Sequence, residues 1–281
     1  MPRALGFRDH SRELGENAYV YAVVSRRARG LSIGVNLNPD KVCNFACPYC
    51  QVDRRTPGGP SAIDVGRLAA ELESLLERVE AGSLWDEPPF ATVALPLQKL
   101  ADIAFAGDGE PTTPREFPAA AQAVRAIRDR RGLEIPIRLL TNATMFDRSR
   151  VHVALADFDE LWCKLDAGTE EYFRLVDGTA LPFARVLANL RRVARERPIV
   201  IQSLFLTYDG RGPVEEEIDA YVARLCELIE AGGRIDRVQV YTVARPPADP
   251  RVGALGDERL EPIAARVRAV GIPAEVYGGG D

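Results

Sequence analysis

The sequence predicts an α/β protein built on a parallel sheet with crossover helices, and three observations carry that reading. Short apolar runs rich in Val, Ile and Leu alternate with stretches of helical periodicity along most of the chain. Polar or glycine-containing turns follow the apolar runs at their C-terminal ends, where parallel α/β folds place their active sites. Finally, 281 residues at 46% apolar content can bury one large core or two modest ones. There is no Ser/Gly-rich linker and no internal repeat, so the expected organisation is one core domain, residues 32–281, behind an N-terminal extension of residues 1–31.

Taken in order, residues 32–37 read as the first strand, and a cysteine-rich loop follows its C-terminal end. A helix is expected from about Ser61, which can cap it with Asp64 at the reciprocal position. Val65, Leu68, Leu72, Leu75, Leu76 and Val79 form its apolar stripe. Residues 85–100, with Pro88, Pro89 and Pro96, read as an irregular insertion. The second strand, 102–106, runs into Gly107-Asp108-Gly109-Glu110-Pro111 and a helix at 118–131. The third, 135–140, ends in Thr141-Asn142-Ala143-Thr144, and the fourth, 160–165, in Lys164-Leu165-Asp166-Ala167-Gly168. A helix at 181–196, a fifth strand at 199–206, a helix at 214–231 and a sixth strand at 238–243 follow. A last helix at 257–269 precedes a short strand at 274–277 and a glycine tail.

Charge and targeting signals narrow the function classes. The net charge of −5 argues against a general nucleic-acid-binding surface, although local basic clusters occur at Arg26-Arg27-Ala28-Arg29, Arg128-Asp129-Arg130-Arg131 and Arg191-Arg192. The segment from Met1 to His10 has no signal-peptide apolar stretch, and no run of about 18 apolar residues occurs, so no membrane span is expected. Lys41, Lys99 and Lys164 are the lysines among 36 basic residues. A GC-biased coding habit is the plain explanation of the arginine excess; the functional one is a need for a compact ammonium at Lys41, two residues before Cys43, and at Lys164, which ends a strand.

The run Cys43-Asn44-Phe45-Ala46-Cys47-Pro48-Tyr49-Cys50 places three thiols on one short loop. Three ligands are one short of the tetrathiolate that closes an ordinary iron–sulfur cluster. An open coordination position serves catalysis rather than structure. A zinc knuckle is the competing reading, but it needs a fourth ligand at short spacing, and the next candidates, His152 and Cys163, lie over a hundred residues on. Cys163 and Cys226 read as small apolar residues of a strand and a helix. Clustered thiols without a pairing partner set suit a reducing cytosol, so a cytoplasmic location is expected.

This C-x3-C-x2-C spacing, with an aromatic before the last cysteine, resembles the radical S-adenosylmethionine (radical SAM) enzymes. The runs Val24-Ser25-Arg26-Arg27, Ser32-Ile33-Gly34-Val35-Asn36-Leu37, Lys41-Val42-Cys43-Asn44-Phe45 and Tyr49-Cys50-Gln51 look like the branch that includes the wyosine tRNA-base synthases. The resemblance covers about residues 19–271 and implies a partial (β/α)6 TIM-like barrel, which the six β/α units match. It implies a 4Fe–4S cluster on Cys43, Cys47 and Cys50, with the fourth iron free to bind SAM. Reductive cleavage of SAM to a 5′-deoxyadenosyl radical would use an electron from a low-potential donor such as flavodoxin or ferredoxin. Gly107-Asp108-Gly109-Glu110-Pro111 is similar to the superfamily's SAM-binding glycine motif, with Asp108 in place of the first glycine of its commonest form.

For the remaining strand ends, the SAM-pocket reading assigns Tyr49 to the adenine, Lys164 to the methionine carboxylate, and Asp166 and Asn142 to the ribose. Each has a plainer alternative: a core aromatic for Tyr49 and a surface ion pair for Lys164–Asp166. Gln202-Ser203 either lines the same pocket or forms a hydrogen-bonded core pair. The extra cysteines of a second cluster, which characterised wyosine synthases carry, are missing here, which puts the wyosine reaction in doubt. Expected substrates are a small molecule or an RNA base, and activation of a glycyl-radical partner protein is the alternative within the class. A non-catalytic iron–sulfur or zinc-binding module is the alternative outside it.

Overall fold

The computed structural model describes residues 17–25 and 27–279, so the segment from Met1 to His10, Arg26 of the first basic cluster and Gly280 of the glycine tail lie outside the described residues. Contacts divide the chain into two compact units. The first is Met1–Val42, Thr56–Leu139 and Arg150–Asp159, and the second is Cys43–Arg55, Leu140–Ser149 and Glu160–Asp281.

In the first unit, β1 (Val20–Ser25) and β2 (Gly30–Val35) pair antiparallel along their whole length. The run Val20-Tyr21-Ala22-Val23-Val24 lies within the segment expected to be an extension, and β-branched side chains on a pleated, buried strand explain its place in the sheet. Helix α1 (Val65–Glu80) is capped by Asp64, whose carboxylate accepts from the Arg67 amide, so the cap is Asp64 and not Ser61. Leu68, Leu72, Leu75 and Leu76 bury its expected stripe. Between them, buried Glu71 accepts from the amides of Ala18, Tyr19 and Val20 and so binds the start of β1 to α1. Residues 83–97 form three short 3-10 turns and no regular element. Strand β3 (Leu100–Phe105) pairs parallel with β2, helix α2 (Phe117–Arg130) follows, and β4 (Ile137–Thr141) pairs parallel with β3. Phe105, Phe117 and Phe158 stack edge and face at the centre of this unit. Helix α3 (Ser149–Ala154), absent from the sequence expectation, closes it.

The second unit continues with β5 (Glu160–Lys164), α4 (Glu170–Asp177), α5 (Phe183–Glu196) and β6 (Ile199–Leu204). Then come β7 (Leu206–Tyr208), α6 (Glu215–Glu230), β8 (Ile235–Tyr241), β9 (Val252–Ala254), α7 (Asp257–Ala269) and β10 (Ala274–Tyr277). β5, β6, β8 and β10 form parallel pairs in that order. The expected single strand at 199–206 divides at Phe205: β6 stays in the parallel sheet, while β7 turns away to pair antiparallel with β9. Thr169 caps α4 by accepting from the Tyr172 amide, and Gly178 ends it in the left-handed conformation (φ 57°). Among the described residues no helix is long and apolar enough to cross a membrane.

Candidate metal centre

The cysteine loop lies in the second unit, and three sets of contacts within that unit hold it. Asn44 exchanges hydrogen bonds with the turn after β4: its Nδ2 donates to Thr144 Oγ1 (2.7 Å), and its Oδ1 accepts from Asn142 Nδ2 (2.8 Å). Asn142 Oδ1 in turn accepts from the Thr144 amide and hydroxyl, which closes the ring. Ala143, between them, sits at φ +59°, a strained conformation for a residue with a Cβ, and buried Asn189 braces it by donating to its carbonyl. Phe45 is buried edge-on against Phe173 of α4.

The C-terminal end of α4 supplies the second set. The Ala46 amide donates to the Asp177 carbonyl, and Thr179 Oγ1 donates to the Asn44 carbonyl. Gly178 packs so closely that a Cβ there would stand 2.2 Å from the Ala46 carbonyl oxygen, so only glycine fits.

A buried charge cluster is the third set. Lys164 Nζ is ion-paired with Asp166 and, at 2.7 Å, with Asp177, whose side chains are 0% and 2% exposed. The surface ion pair considered for Lys164 and Asp166 is therefore a buried triad. Tyr49 OH donates to Asp166 Oδ2 (2.5 Å), and the Lys164 ammonium stands 4.5 Å from the centre of the Tyr49 ring. Asp166 Oδ1 accepts from the Leu204 amide. Burial works to lower the pKa of the Lys164 ammonium, but Asp166 and Asp177 outweigh it and hold it well above the ordinary lysine value. Burial pushes the Asp177 carboxyl up to about 7, with Lys164 opposing and the Asp166 charge adding.

Each sulfur of the loop faces a polar neighbour. The Phe45 amide donates to Cys43 Sγ (3.5 Å), Arg54 to Cys50 Sγ (3.6 Å), and Cys47 Sγ lies 3.8 Å from Asp177 Oδ1. Burial raises the Cys47 thiol pKa, and the nearby Lys164 charge opposes that rise. Among the described residues no three His, Cys, Asp or Glu side chains stand gathered as a ready-made metal site. The fit to an iron–sulfur cluster rests instead on the donor set. Three half-buried thiols without disulfides occupy one anchored loop, with N–H donors and an ammonium to stabilise thiolate charge. Cys163 is buried in β5 and Cys226 lies on α6, as their structural reading requires.

The other expected site residues fall into place differently. In the first unit, Asn36 spans the glycine motif, donating from Nδ2 to Asp108 Oδ2 (2.8 Å) and accepting from the Asp108 amide. A Cβ on Gly109 would stand 2.1 Å from the Val42 carbonyl oxygen, and one on Gly107 2.2 Å from Asn36 Oδ1. These glycines thus admit the segment that leads into Cys43. Glu110 is buried, and its carboxylate accepts from the Thr112 amide and hydroxyl. Lys41 reaches Thr56 Oγ1 at 2.7 Å. In the second unit, Gln202 donates to Gln239, Ser203 donates to the Leu165 carbonyl, and the Arg245 carbonyl accepts from Gln51 of the cysteine loop. Asp177, Thr144 and Gln239 carry no motif; the signal within reach was Thr169-Glu170-Glu171 with Gly178, which frames α4 and so places Asp177.

Comparison with known proteins bears on the whole arrangement. The family model of the radical SAM superfamily matches residues 37–225. A protein of Brachyspira hyodysenteriae named GTPase Obg is 27% identical over 249 residues, 85% of this chain and 32% of its own. A UPF0026 protein of Methanocaldococcus jannaschii is 28% identical over 162 residues, 56% of this chain and 43% of its own. The chain thus spans less than half the length of either relative. Among solved structures, a radical SAM methyltransferase from Sphaerobacter thermophilus superposes with TM-score 0.66 at 19% identity, covering 92% of this chain and 69% of that one. TYW1 with a lysine-pyruvate adduct bound superposes with TM-score 0.55 at 15% identity, covering 86% and 74%. Likeness at this identity shows the fold, and the α/β partial (β/α)6 barrel expected from the sequence stands.

Proposed function

Since the chain belongs to the radical SAM superfamily, we propose that it is a SAM-cleaving enzyme with one 4Fe–4S cluster on Cys43, Cys47 and Cys50. When bound, the cluster would supply the electron that splits the SAM sulfonium into methionine and a 5′-deoxyadenosyl radical, and that radical would abstract hydrogen from a small molecule or an RNA base. The electron itself comes from a low-potential donor of the flavodoxin or ferredoxin type. The single observation that carries this reading is the anchored loop, whose three sulfurs face an amide, a guanidinium and a buried ion triad.

The protein groups divide the work. Asn142, Asp166 and Tyr49 hold the loop through their own polar atoms, which favours a supporting role over the direct ribose and adenine contacts expected from sequence. Lys164 keeps its charge inside the site and is the group best placed for the methionine carboxylate, in exchange for one of its two aspartates.

Anaerobic reconstitution tests this directly. The protein should take up about four irons and four sulfides per chain. SAM should perturb the paramagnetic resonance of the reduced cluster, and dithionite with SAM should give 5′-deoxyadenosine. Replacing any one of the three cysteines by alanine should abolish all of these, while Cys163→Ala leaves them intact. Stoichiometric zinc without iron in anaerobically purified protein would sink the proposal.

A further inference from the structure

We infer that Gln202 and Gln239 form a recognition shelf for the substrate, built to take a planar neutral group that offers a hydrogen-bond donor and acceptor side by side. An amide, a lactam and a nucleobase edge all have that pattern. The inference rests on the proposed radical chemistry only in naming what occupies the shelf the substrate.

Strand register places the pair. Lys164 of β5, Gln202 of β6 and Gln239 of β8 are direct neighbours across the parallel sheet, so their side chains share one face. The opposite face is the helix-covered one: Ser203, next to Gln202, meets Tyr221 of α6 there, at 2.6 Å between hydroxyls. One step toward the strands' N-terminal ends, Trp162 and Arg237 close the floor on the Gln202 side, with Glu160 joining both. In the row itself, Lys164 lies against Tyr49 of the cysteine loop. The shelf therefore occupies the level between a closed floor and the loop of the metal centre, all within the second unit.

Its chemistry follows from what the two carboxamides leave over. Gln202 is 6% exposed and Gln239 1%, and Gln202 Nε2 donates to Gln239 Oε1 at 2.8 Å. That bond leaves the Gln202 carbonyl and the Gln239 amide without a further hydrogen bond among the described residues. Exchanging nitrogen and oxygen in both side chains leaves the same remainder, one carbonyl and one NH2. Neither leftover group is among the fully buried side-chain atoms that lack a partner, so both reach open space, and the pair presents one acceptor and one donor to it. The two carboxamides carry no charge themselves, so the shelf pairs with a neutral donor–acceptor edge rather than with an anion.

The probes are uracil and δ-valerolactam, each set against its fully N-methylated form, with binding to the wild-type full-length chain read by saturation-transfer NMR. Both N–H probes should bind at least about tenfold more tightly than their methylated partners, which have lost the donor. A response to both marks an amide edge in general, and one to uracil alone marks a base. Gln239→Met, and the double variant with Gln202→Met, should lose the preference, while SAM affinity of the reconstituted Gln239→Met protein stays within about twofold. Equal binding of methylated and unmethylated probes overturns the inference, as does no binding of either N–H probe. So does a preference that survives the double variant, or a loss of SAM affinity in step with the probes, which would give the pair to the cofactor. Formation of 5′-deoxyadenosine by the wild-type holoenzyme is read separately. Its absence with discrimination intact removes the radical reading and leaves the shelf, and the reverse removes the shelf alone.

Discussion

The loops after β3 and β5 both end a parallel strand, both contain glycine and an acidic residue, and both were read from sequence as cofactor contacts. They are built on different physics. The loop after β3 is held by hydrogen bonds with the uncharged Asn36 side chain and by two glycines that admit Asn36 and the Val42 backbone. The loop after β5 is held by charge, with Lys164 between two carboxylates of at most 2% exposure. Removing a partner from a neutral hydrogen bond costs little, but removing one from a buried ion cluster strands a charge. The charged loop is therefore the more sensitive one, and the one that bears on the cysteine loop through Cys47 and Tyr49.

The largest expected effect breaks the ion triad. Lys164→Met leaves two carboxylates buried together and should destabilise the protein by about 3–5 kcal/mol in guanidinium titration. Lys164→Arg keeps the charge and should recover part of that loss, because its wider planar head cannot reproduce both ammonium contacts. A Lys164→Met protein as stable as its parent would remove the distinction between the loops. Next comes Gly109→Ala in the neutral loop, where the new Cβ meets a backbone oxygen that cannot move aside, at about 1–3 kcal/mol. Gly107→Ala should cost less, since it meets the Asn36 side chain. Below these, Thr144→Val removes the hydroxyl that both accepts from Asn44 and donates to Asn142. It should cost about 1 kcal/mol and speed iron loss from the reconstituted protein to a chelator, the second readout separating loop anchoring from general stability.

Much of this was legible in the chain. Each core strand from β2 to β10 that lies in the parallel sheet fell within a few residues of its apolar run, and the three thiols could be placed on one loop from spacing alone. β1 falls in the segment expected to be an extension: Val20-Tyr21-Ala22-Val23-Val24 has strand composition, but its antiparallel pairing with β2 lies outside the repeating β/α pattern. α4 was missed because it is eight residues long, although its Thr169 cap and Gly178 stop were both present. Asp177 could not be read at all. It meets Lys164 and Cys47 only because α4 turns back onto the cysteine loop, a contact made across 130 residues of sequence in the case of Cys47. Gln239 was hidden for the same reason: its partner Gln202 is set by strand register, which periodicity does not reveal.

The finest test makes one substitution in both loops. Asp108 is half-buried and accepts from Asn36 Nδ2. Asp108→Asn keeps an acceptor oxygen of the same size in the same place, so the bond survives in neutral form. The expected change is under about 1 kcal/mol, the difference between a charge-assisted and a neutral hydrogen bond. Asp166→Asn is chemically the same exchange, but it takes a charge from the triad, leaves Lys164 with Asp177 alone, and presents an amide where Tyr49 and Lys164 both donate. Its cost should exceed that of Asp108→Asn severalfold in the same denaturation experiment, and only Asp166→Asn should also loosen the cysteine loop, seen as faster iron loss to a chelator. Equal costs in the two loops would mean that burial of charge does not distinguish them, and that Asp166 is held by its bond to the Leu204 amide rather than by Lys164.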